Sequence, residues 1–578
     1  MNKLPQEVLN DIASYLGTEP RPGPTSKSHW ATRELQDERV RSRSCLVGLA
    51  SLSNELRIAA ERITFSYLSI NATELAEFEN LMFGRYGDDR RAALCDLCFS
   101  IEVPELDDDS QGLPQDLQAH REANERTASE AMLRLLDMLA RWGPATDGTG
   151  PQRGIRLRFH IHTPRGTQQE SDEEDGYATG QYTVIERNEM SYIRLRNLPT
   201  RKISCVRDLV YSAPDSQEEY GGIGLRKLHP ASLVALSDLF IQLRSCYLAH
   251  AEIDEKHVRC RGFHSLRRKI HRELYQAINS SPGMGPTAEE LFIMLDPFPS
   301  HDLRLLDMTD GTNADPLCAA IHDFIARSHF VFLAFAGRVD AELFWPTRAA
   351  PAGAVALSSL DGLGRRMPGL PYWSSIRRLS VYFGPDSPSG QWYFRGREGR
   401  DSDEPLPAGI VGHQPPTYEA SELFEGAAAT ATATTPADSD TPWLPAEPYP
   451  RYEEPSYFRV VPDGQVMNPL LAAYARCLTK MEHLERAALF TKLDPSDQGS
   501  RQSEWGVYYF GRGQWDHAWE SFSIWHPPSE PRVTFRTHGW MPSRGVLSLF
   551  KSVRADCSGF AVSRHEGLCM PFSWPAST

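Results

Sequence analysis

Two cysteines stand three apart in Cys95-Asp96-Leu97-Cys98, the spacing of half a zinc site. A structural zinc needs four ligands, and no second pair follows at a suitable distance. The surrounding residues alternate like a strand, where positions three apart face opposite sides. The pair therefore reads as packing. His160 and His162 share one face of another alternating run and could hold a metal ion, yet no third ligand is identifiable, so they read as surface imidazoles. Gly221-Gly222-Ile223-Gly224 lacks the Lys-Ser/Thr that follows a phosphate loop and lacks the spacing of a dinucleotide fingerprint. It reads as a turn, as does Phe510-Gly511-Arg512-Gly513. No Gly-x-Ser-x-Gly nucleophile elbow occurs. We expect no enzyme, no metal and no cofactor, although dispersed catalytic residues leave no local motif.

One cluster is strongly basic. Lys256, Arg259, Arg261, Arg267, Arg268, Lys269 and Arg272 fall within seventeen residues, with His257, His264 and His271 interleaved. Guanidinium forks suit carboxylates and phosphates, which makes this a candidate site for an acidic ligand. A solvated helix face is the simpler reading, and docking of the chain's own acidic stretch is a third.

The elements that would position such groups recur in one order, helix then strand. Leu75, Phe78 and Met82 at helical spacing precede Leu97, Phe99, Ile101 and Val103 at strand spacing. Leu133, Leu136 and Leu139 precede Ile155, Leu157, Phe159 and Ile161, which alternate with Arg156, Arg158 and His160. Leu233 to Leu243 leads to Cys246 and Leu248, Leu266 to Ile278 leads to Leu291, Ile293 and Leu295, and Leu317 to Ile325 leads to Val331 and Leu333. Leu470 to Leu478 leads to Ala487 and Leu489, with further strand-like pieces at Val206 to Tyr211 and Ile376 to Phe383. Such units predict an α/β fold, an irregular leucine-rich-repeat-like solenoid that stacks its strands into one sheet. The aromatic, β-branched runs Trp505 to Phe510, Trp519 to Trp525 and Val533 to His538 predict a β-rich C-terminal cap.

The 578 residues carry 61 Lys plus Arg and 76 Asp plus Glu, a net charge of −15. Asp401 to Pro455 holds eleven acidic residues and one basic, Arg451, and so supplies −10 of it. The other 523 residues carry −5, which argues against a general nucleic-acid binder. The same stretch holds ten Pro and the run Ala427 to Thr435, a composition that cannot bury enough apolar surface to fold by itself. We read 385-456 as a linker or insertion standing apart. The acidic run Glu170 to Asp175 reads as an exposed loop. No apolar run approaches the ~18 residues of a membrane helix, and the acidic first turns, with Glu7 and Asp11, do not suit a secretory signal. Ten scattered Cys suit a reducing compartment, cytosol or nucleus.

The most specific words lie at the start. Leu4-Pro5-Gln6-Glu7-Val8-Leu9-Asn10-Asp11-Ile12-Ala13-Ser14-Tyr15-Leu16 reads as a helix with Pro in its first turn and one apolar stripe. Together with the helical stretch Cys45 to Phe65 it resembles an F-box of the type abundant in filamentous fungi. The resemblance covers about 45 residues, and in that family the stretch exits into a strand, here Phe65, Tyr67, Leu68 and Ile70. It implies binding to a Skp-type adaptor, and through it to a cullin, by Leu4, Pro5, Val8, Leu9, Ile12, Tyr15 and Leu16, with Leu46, Val47, Leu49, Leu52 and Leu56 completing the helical layer. It further implies a distal domain that holds an unknown protein substrate. The polar insertion at 17-44 departs from the family's short link. The expected division is 1-70 F-box-like, 71-384 receptor domain, 385-456 acidic linker, and 457-578 last repeat and cap.

Overall fold

The computed structural model describes residues 51, 53–104, 114–142, 154–163, 192–211, 224–250, 263–295, 309, 315–346, 373–396, 459–493, 503–514, 530–553 and 560–562. Among them the chain is mixed α/β, built on one fourteen-stranded, mostly parallel sheet.

The first described helix, α1 (Asn54–Thr64), is capped by Ser53, whose hydroxyl accepts from the Leu56 amide. Its buried stripe is Leu56, Ala59 and Ala60. The chain turns at once into β1 (Tyr67–Asn71). Arg90 reaches Glu61 of α1 at 2.8 Å, and the Arg57 guanidinium lies 3.5 Å from the centre of the Tyr86 ring. Helix α1 is thereby pinned to α3 (Gly87–Ala93), which with α2 (Leu75–Phe83) leads into β2 (Asp96–Glu102).

Strand and helix then alternate. The order is α4 (Pro114–Ala140), β3 (Ile155–Thr163), β4 (Tyr192–Ile193), β5 (Val206–Tyr211), β6 (Gly224–Leu228), α5 (Pro230–Ser237), β7 (Ser245–His250), α6 (Phe263–Ser280) and β8 (Glu290–Leu295). There follow α7 (Pro316–Ala326), β9 (Phe332–Gly337), α8 (Ala341–Phe344), β10 (Arg378–Phe383), β11 (Phe394–Gly396), β12 (Arg459–Pro462), α9 (Gly464–Leu478) and β13 (Arg486–Leu493). The chain closes with β14 (Ser503–Phe510), β15 (Arg532–Arg536), α10 (Arg544–Lys551) and β16 (Phe560–Val562).

Sheet order is β1-β2-β3-β5-β7-β8-β9-β10-β13-β14-β15-β16, so each strand lies beside the one before it apart from the short offshoots. Along this path, from β1 to β13, all neighbours are parallel, while the offshoot β6 pairs antiparallel with β3. Helices bridge these successive parallel strands, as parallel pairing requires a crossover, except that no helix is described between β3 and β5. β14 and β15 run antiparallel and β16 parallel to β15. The aromatic C-terminal strands thus extend the same sheet and form its end.

Register explains why the pieces stack. Leu68, Leu97, Leu157, Leu209, Cys246, Leu291, Leu333, Leu379 and Ala487 are partners in succession, one row across the sheet. All but Leu68 are buried. Side chains alternate across a strand, so this row and its i+2 neighbours face the helices and share one core with them. Each buried Leu contributes roughly 1.5–3 kcal/mol. A one-residue slip of any strand would turn its whole apolar set outward.

Helix starts follow local rules. Asp315 caps α7 through the amides of Leu317 and Cys318, with Pro316 at the first position. Asp340 caps α8, and Asp463 caps α9. The two first caps touch, since the Asp315 amide donates to Asp340 Oδ2 at 2.8 Å.

The sequence reading differs from the structure in four places. Residues 385–396 do not stand apart: Asp386, Ser387, Tyr393 and Phe394 are buried, Tyr393 Oη donates to the Val339 carbonyl at 2.5 Å, and β11 pairs with β12. The aromatic pair outweighs the polar turn that precedes it. Cys95 is exposed and only Cys98 is buried. His160 is buried too, its pKa lowered to about 4 chiefly by burial, so it is no surface imidazole. Gly224 opens a strand that pairs antiparallel with β3. The rest of that glycine run, the run at 519–525 and the stretches 170–175 and 397–456 lie outside the described residues. Phe510 to Gly513 turns as expected, with Gly513 at φ +72.

Candidate functional site

The sheet face turned away from the helices carries the densest unusual chemistry. Its residues follow from the alternation. Where Leu97, Leu157 and Leu379 point to the core, Asp96, Cys98, Arg156, Arg158, Arg378 and Ser380 point the other way. Toward the first strands these outward positions pair their charges. Arg158 Nε donates to Asp96 Oδ1 at 3.0 Å, and Arg156 Nε lies 3.9 Å from Asp208 Oδ2. Ser100 Oγ lies 3.1 Å from His162 Nδ1. His162 is pushed down by burial and keeps little charge near neutrality.

From β7 onward the face becomes aromatic. Tyr247 stacks on Phe292 at 5.2 Å, and Phe292 meets Phe332 edge-on at 5.1 Å. Tyr382 stacks on Phe490 at 5.4 Å, Phe490 on Tyr508 at 6.5 Å, and Tyr508 on Phe510 at 6.3 Å. Phe490, Tyr508 and Phe510 form an apolar cluster of their own, separate from the helix-facing core. Guanidinium groups lie on these rings: Arg378 is 5.0 Å from the centre of Phe332, Arg532 is 5.7 Å from Phe510, and Arg536 is 4.7 Å from Tyr508. Such contacts are worth roughly 0.5–2 kcal/mol each and hold an otherwise floppy side chain in place. Glu504 receives Arg536 at 3.2 Å and the Tyr508 hydroxyl.

A second place is a pocket of about 370 Å³, its open mouth included, at the C-terminal ends of β8 and β9. It is lined by His271, Asp315, Cys318 and Arg338 together with Leu295, Leu317, Ile321, Phe335 and Pro388. His271 Nε2 lies 3.4 Å from Asp315 Oδ2, and Arg338 Nε lies 3.1 Å from Asp386 Oδ2. Burial and the Asp315 charge push Asp340 up to about 7. Asp315, although buried, is held low by His271 and the α7 amides. Cys318 is not a nucleophile here: burial and the two aspartates raise its thiol well above the usual range. Cys205, raised to about 12 by burial, and the buried Cys246 and Cys477 are protonated for the same reason. The described residues hold no group of three or more metal-ligating side chains.

A third cluster joins elements. Arg194 Nη2 donates to Glu273 Oε2 at 2.7 Å, and His229 Nε2 lies 2.8 Å from the same oxygen. His229 is buried and neutral, its pKa lowered chiefly by burial, and Nδ1 accepts from the Ala231 amide. Burial alone would raise Glu273, but the His229 and Arg194 hydrogen bonds outweigh it and bring it to about 2. This network ties α6 to β4 and to the start of α5; it is architecture.

The residues singled out from sequence fall as follows. Leu4, Pro5, Val8, Leu9, Ile12, Tyr15, Leu16, Leu46, Leu49 and Leu52 lie outside the described residues, while Leu56 is buried in α1. Lys256, Arg259 and Arg261 also lie outside them. Arg267 is buried, Lys269 is half-buried, and Arg268 and Arg272 are exposed on α6, in the helix layer and not on the open sheet face. His271 turns into the polar pocket. The aromatic and arginine positions of the open face were missed. Their signal is the outward half of each strand's alternation, Arg378-x-Ser380-x-Tyr382 and Arg486-x-Ala488-x-Phe490, and it means little until register sets the strands side by side.

No helix among the described residues is long and apolar enough to cross a membrane. Compared with family models, with curated proteins and with solved structures, the chain has no match.

Proposed function

We propose that this chain is a substrate-receptor subunit of a Skp–cullin–F-box ubiquitin ligase. Residues 1-70 bind a Skp-type adaptor and through it a cullin. The sheet body, an irregular leucine-rich-repeat-like array, holds a protein substrate on its open face. One observation carries the reading: the F-box-like words of 4–16 and 45–65 run directly into the edge strand of a sheet whose strands follow chain order. The Glu61–Arg90 and Arg57–Tyr86 contacts support it, because a receptor must couple its adaptor end stiffly to its substrate face. The chain itself does no chemistry. It raises the effective concentration of substrate lysines beside the ubiquitin-charged enzyme. Its work lies in cytosol or nucleus, with no membrane, nucleic acid or cofactor.

The test is adaptor capture. Leu9→Asp with Ile12→Asp places two carboxylates on the apolar stripe of the first helix, each costing several kcal/mol where it is buried without a partner. A pull-down with a Skp-type adaptor then loses the chain, and undiminished capture removes the reading. The polar insertion at 17-44, absent from the usual F-box link, favours a second reading, a protein-interaction scaffold outside ubiquitin transfer. Co-purification of a cullin with the intact chain decides between them.

A further inference from the structure

The pocket at the C-terminal ends of β8 and β9 gathers ionisable side chains from four separate elements. His271 comes from α6, Asp315 from the cap of α7 and Arg338 from the exit of β9, and behind Arg338 stands Asp386 from the turn after β10. Asp315 and Asp386 keep 1% of their side-chain surface, His271 15% and Arg338 12%, so the acids are desolvated and the other two reach solvent. Buried ion pairs add little net stability, so folding alone does not account for this set. The pairing also leaves hydrogen-bonding capacity unused. Arg338 Nε faces Asp386 Oδ2 at 3.1 Å, yet Nη1 of the same guanidinium is buried with no hydrogen-bond partner among the described residues. A buried donor left unmet costs more than an ordinary hydrogen bond contributes. Asp315 Oδ1 accepts from the Leu317 amide at 3.0 Å, and a carboxylate oxygen can take a second donor. Arg338 and Asp315 thus bring a donor and an acceptor to one pocket whose other walls, Leu295, Ile321 and Phe335 among them, are apolar. The carboxyl ends of parallel strands are where open α/β sheets bind ligands.

We infer that this pocket anchors a primary-amide side chain, glutamine or asparagine, of a protein partner. The inference rests on the receptor reading above and adds to the sheet face an anchor at its rim. Charge decides the class. Arg338 already faces Asp386, and His271 Nε2 lies 3.4 Å from Asp315 Oδ2. An incoming carboxylate would leave water to sit beside Asp315, and an incoming ammonium would do so beside Arg338; neither would recover its lost hydration. A primary amide carries no charge and presents both halves of the match, a carbonyl that accepts from Arg338 and an N–H that donates to Asp315. A hydroxyl must serve both through one oxygen and fills less of a pocket of about 370 Å³, mouth included. The methylenes of the side chain lie along Leu295, Ile321 and Phe335, as the apolar stem of a ligand does in a pocket with few polar groups.

The experiment is saturation-transfer difference NMR on the full chain with the peptide Ala-Ala-Gln-Ala-Ala, acetylated and closed as a methylamide so that glutamine carries its sole primary amide. The glutamine methylenes are expected to receive the strongest transfer. Peptides with Glu or Lys in place of Gln are expected to bind about tenfold more weakly or worse. Asp315→Asn keeps the α7 cap, since asparagine caps as well as aspartate, and is expected to weaken the Gln peptide about tenfold, the scale of one lost charge-assisted hydrogen bond. Arg338→Gln is expected to lose as much; where the unpaired Asp386 prevents folding, judged by circular dichroism, Asp315→Asn carries the test. Arg268→Glu, on the exposed side of α6, leaves the affinity unchanged. Adaptor capture by Asp315→Asn stays intact, whereas Leu9→Asp with Ile12→Asp loses the adaptor and keeps the peptide, so failure of this inference and failure of the receptor reading are told apart. The proposal is overturned by absent transfer to the Gln peptide, by equal binding of the Glu or Lys peptide, or by wild-type affinity in Asp315→Asn. Free glutamine binding more tightly than the peptide would assign the pocket to a small molecule and overturn the protein partner.

Discussion

Asp340→Asn probes the two touching helix caps. Asp340 Oδ1 accepts from the Glu342 amide at 2.9 Å, and Oδ2 accepts from the Asp315 amide at 2.8 Å. Burial and the neighbouring Asp315 charge raise Asp340 from an ordinary 3.8 to about 7. The folded protein therefore keeps this proton up to about pH 7, whereas the unfolded chain releases it near 3.8. Where the folded state binds more protons, stability falls as pH rises. The contribution is full below about pH 4 and is lost through pH 7. At 1.36 kcal/mol per pH unit, roughly three units set a ceiling of ~4 kcal/mol. Asparagine removes the charge and forfeits one acceptor, a loss of ~1 kcal/mol. The variant is thus less stable than the parent at pH 4 and more stable at pH 8, by up to ~3 kcal/mol. Urea denaturation at a series of pH values, with the difference between variant and parent plotted, isolates Asp340 and its neighbour Asp315 from the other titrating groups. Parallel profiles, with a difference that moves by less than ~0.5 kcal/mol across the series, would refute the reasoning.

Three further outcomes are expected. Phe394→Ala tests the placement of 385–396 in the body: Phe394 is fully buried against Phe383 and Trp505, and its loss costs about 3–5 kcal/mol, read as a lowered denaturation midpoint. Leu333→Ala, in the middle of the buried row, costs about 2–5 kcal/mol, while Ser380→Ala on the open face changes stability by less than ~1 kcal/mol; equal effects would contradict the two-faced sheet. Glu273→Gln tests the network at α6. Because Glu273 is held down at about 2, its stabilisation is present above pH 4.5 and is lost as pH falls toward 2, so the variant should show a flatter acid limb in thermal melts.

Much of the architecture was legible from residue order. Alternation such as Ile155-Arg-Leu-Arg-Phe marks a strand with one buried face, and Leu317, Ile321 and Phe324 behind Asp315-Pro316 mark a capped helix, because both periods follow from backbone geometry alone. The helix-then-strand order pointed to parallel neighbours, since only a crossover returns a chain to the same sheet edge. The words at 4–16 that resemble an F-box lie outside the described residues, and what they imply is the proposal made above. Composition misled at 385–396, where Pro385, Asp386, Ser387, Pro388, Ser389 and Gly390 read as linker. Two aromatics three and four residues further on, Tyr393 and Phe394, reach the core and hold the turn down. Only tertiary structure decided what lies on the open face. Phe332, Arg378, Arg486, Phe510 and Arg532 span 201 positions of chain, yet register sets them in one line. The periodicity of each strand fixes which side a residue faces, but not which residue of a distant strand stands beside it. That choice belongs to the packed core, where the leucine row locks every strand against its neighbour.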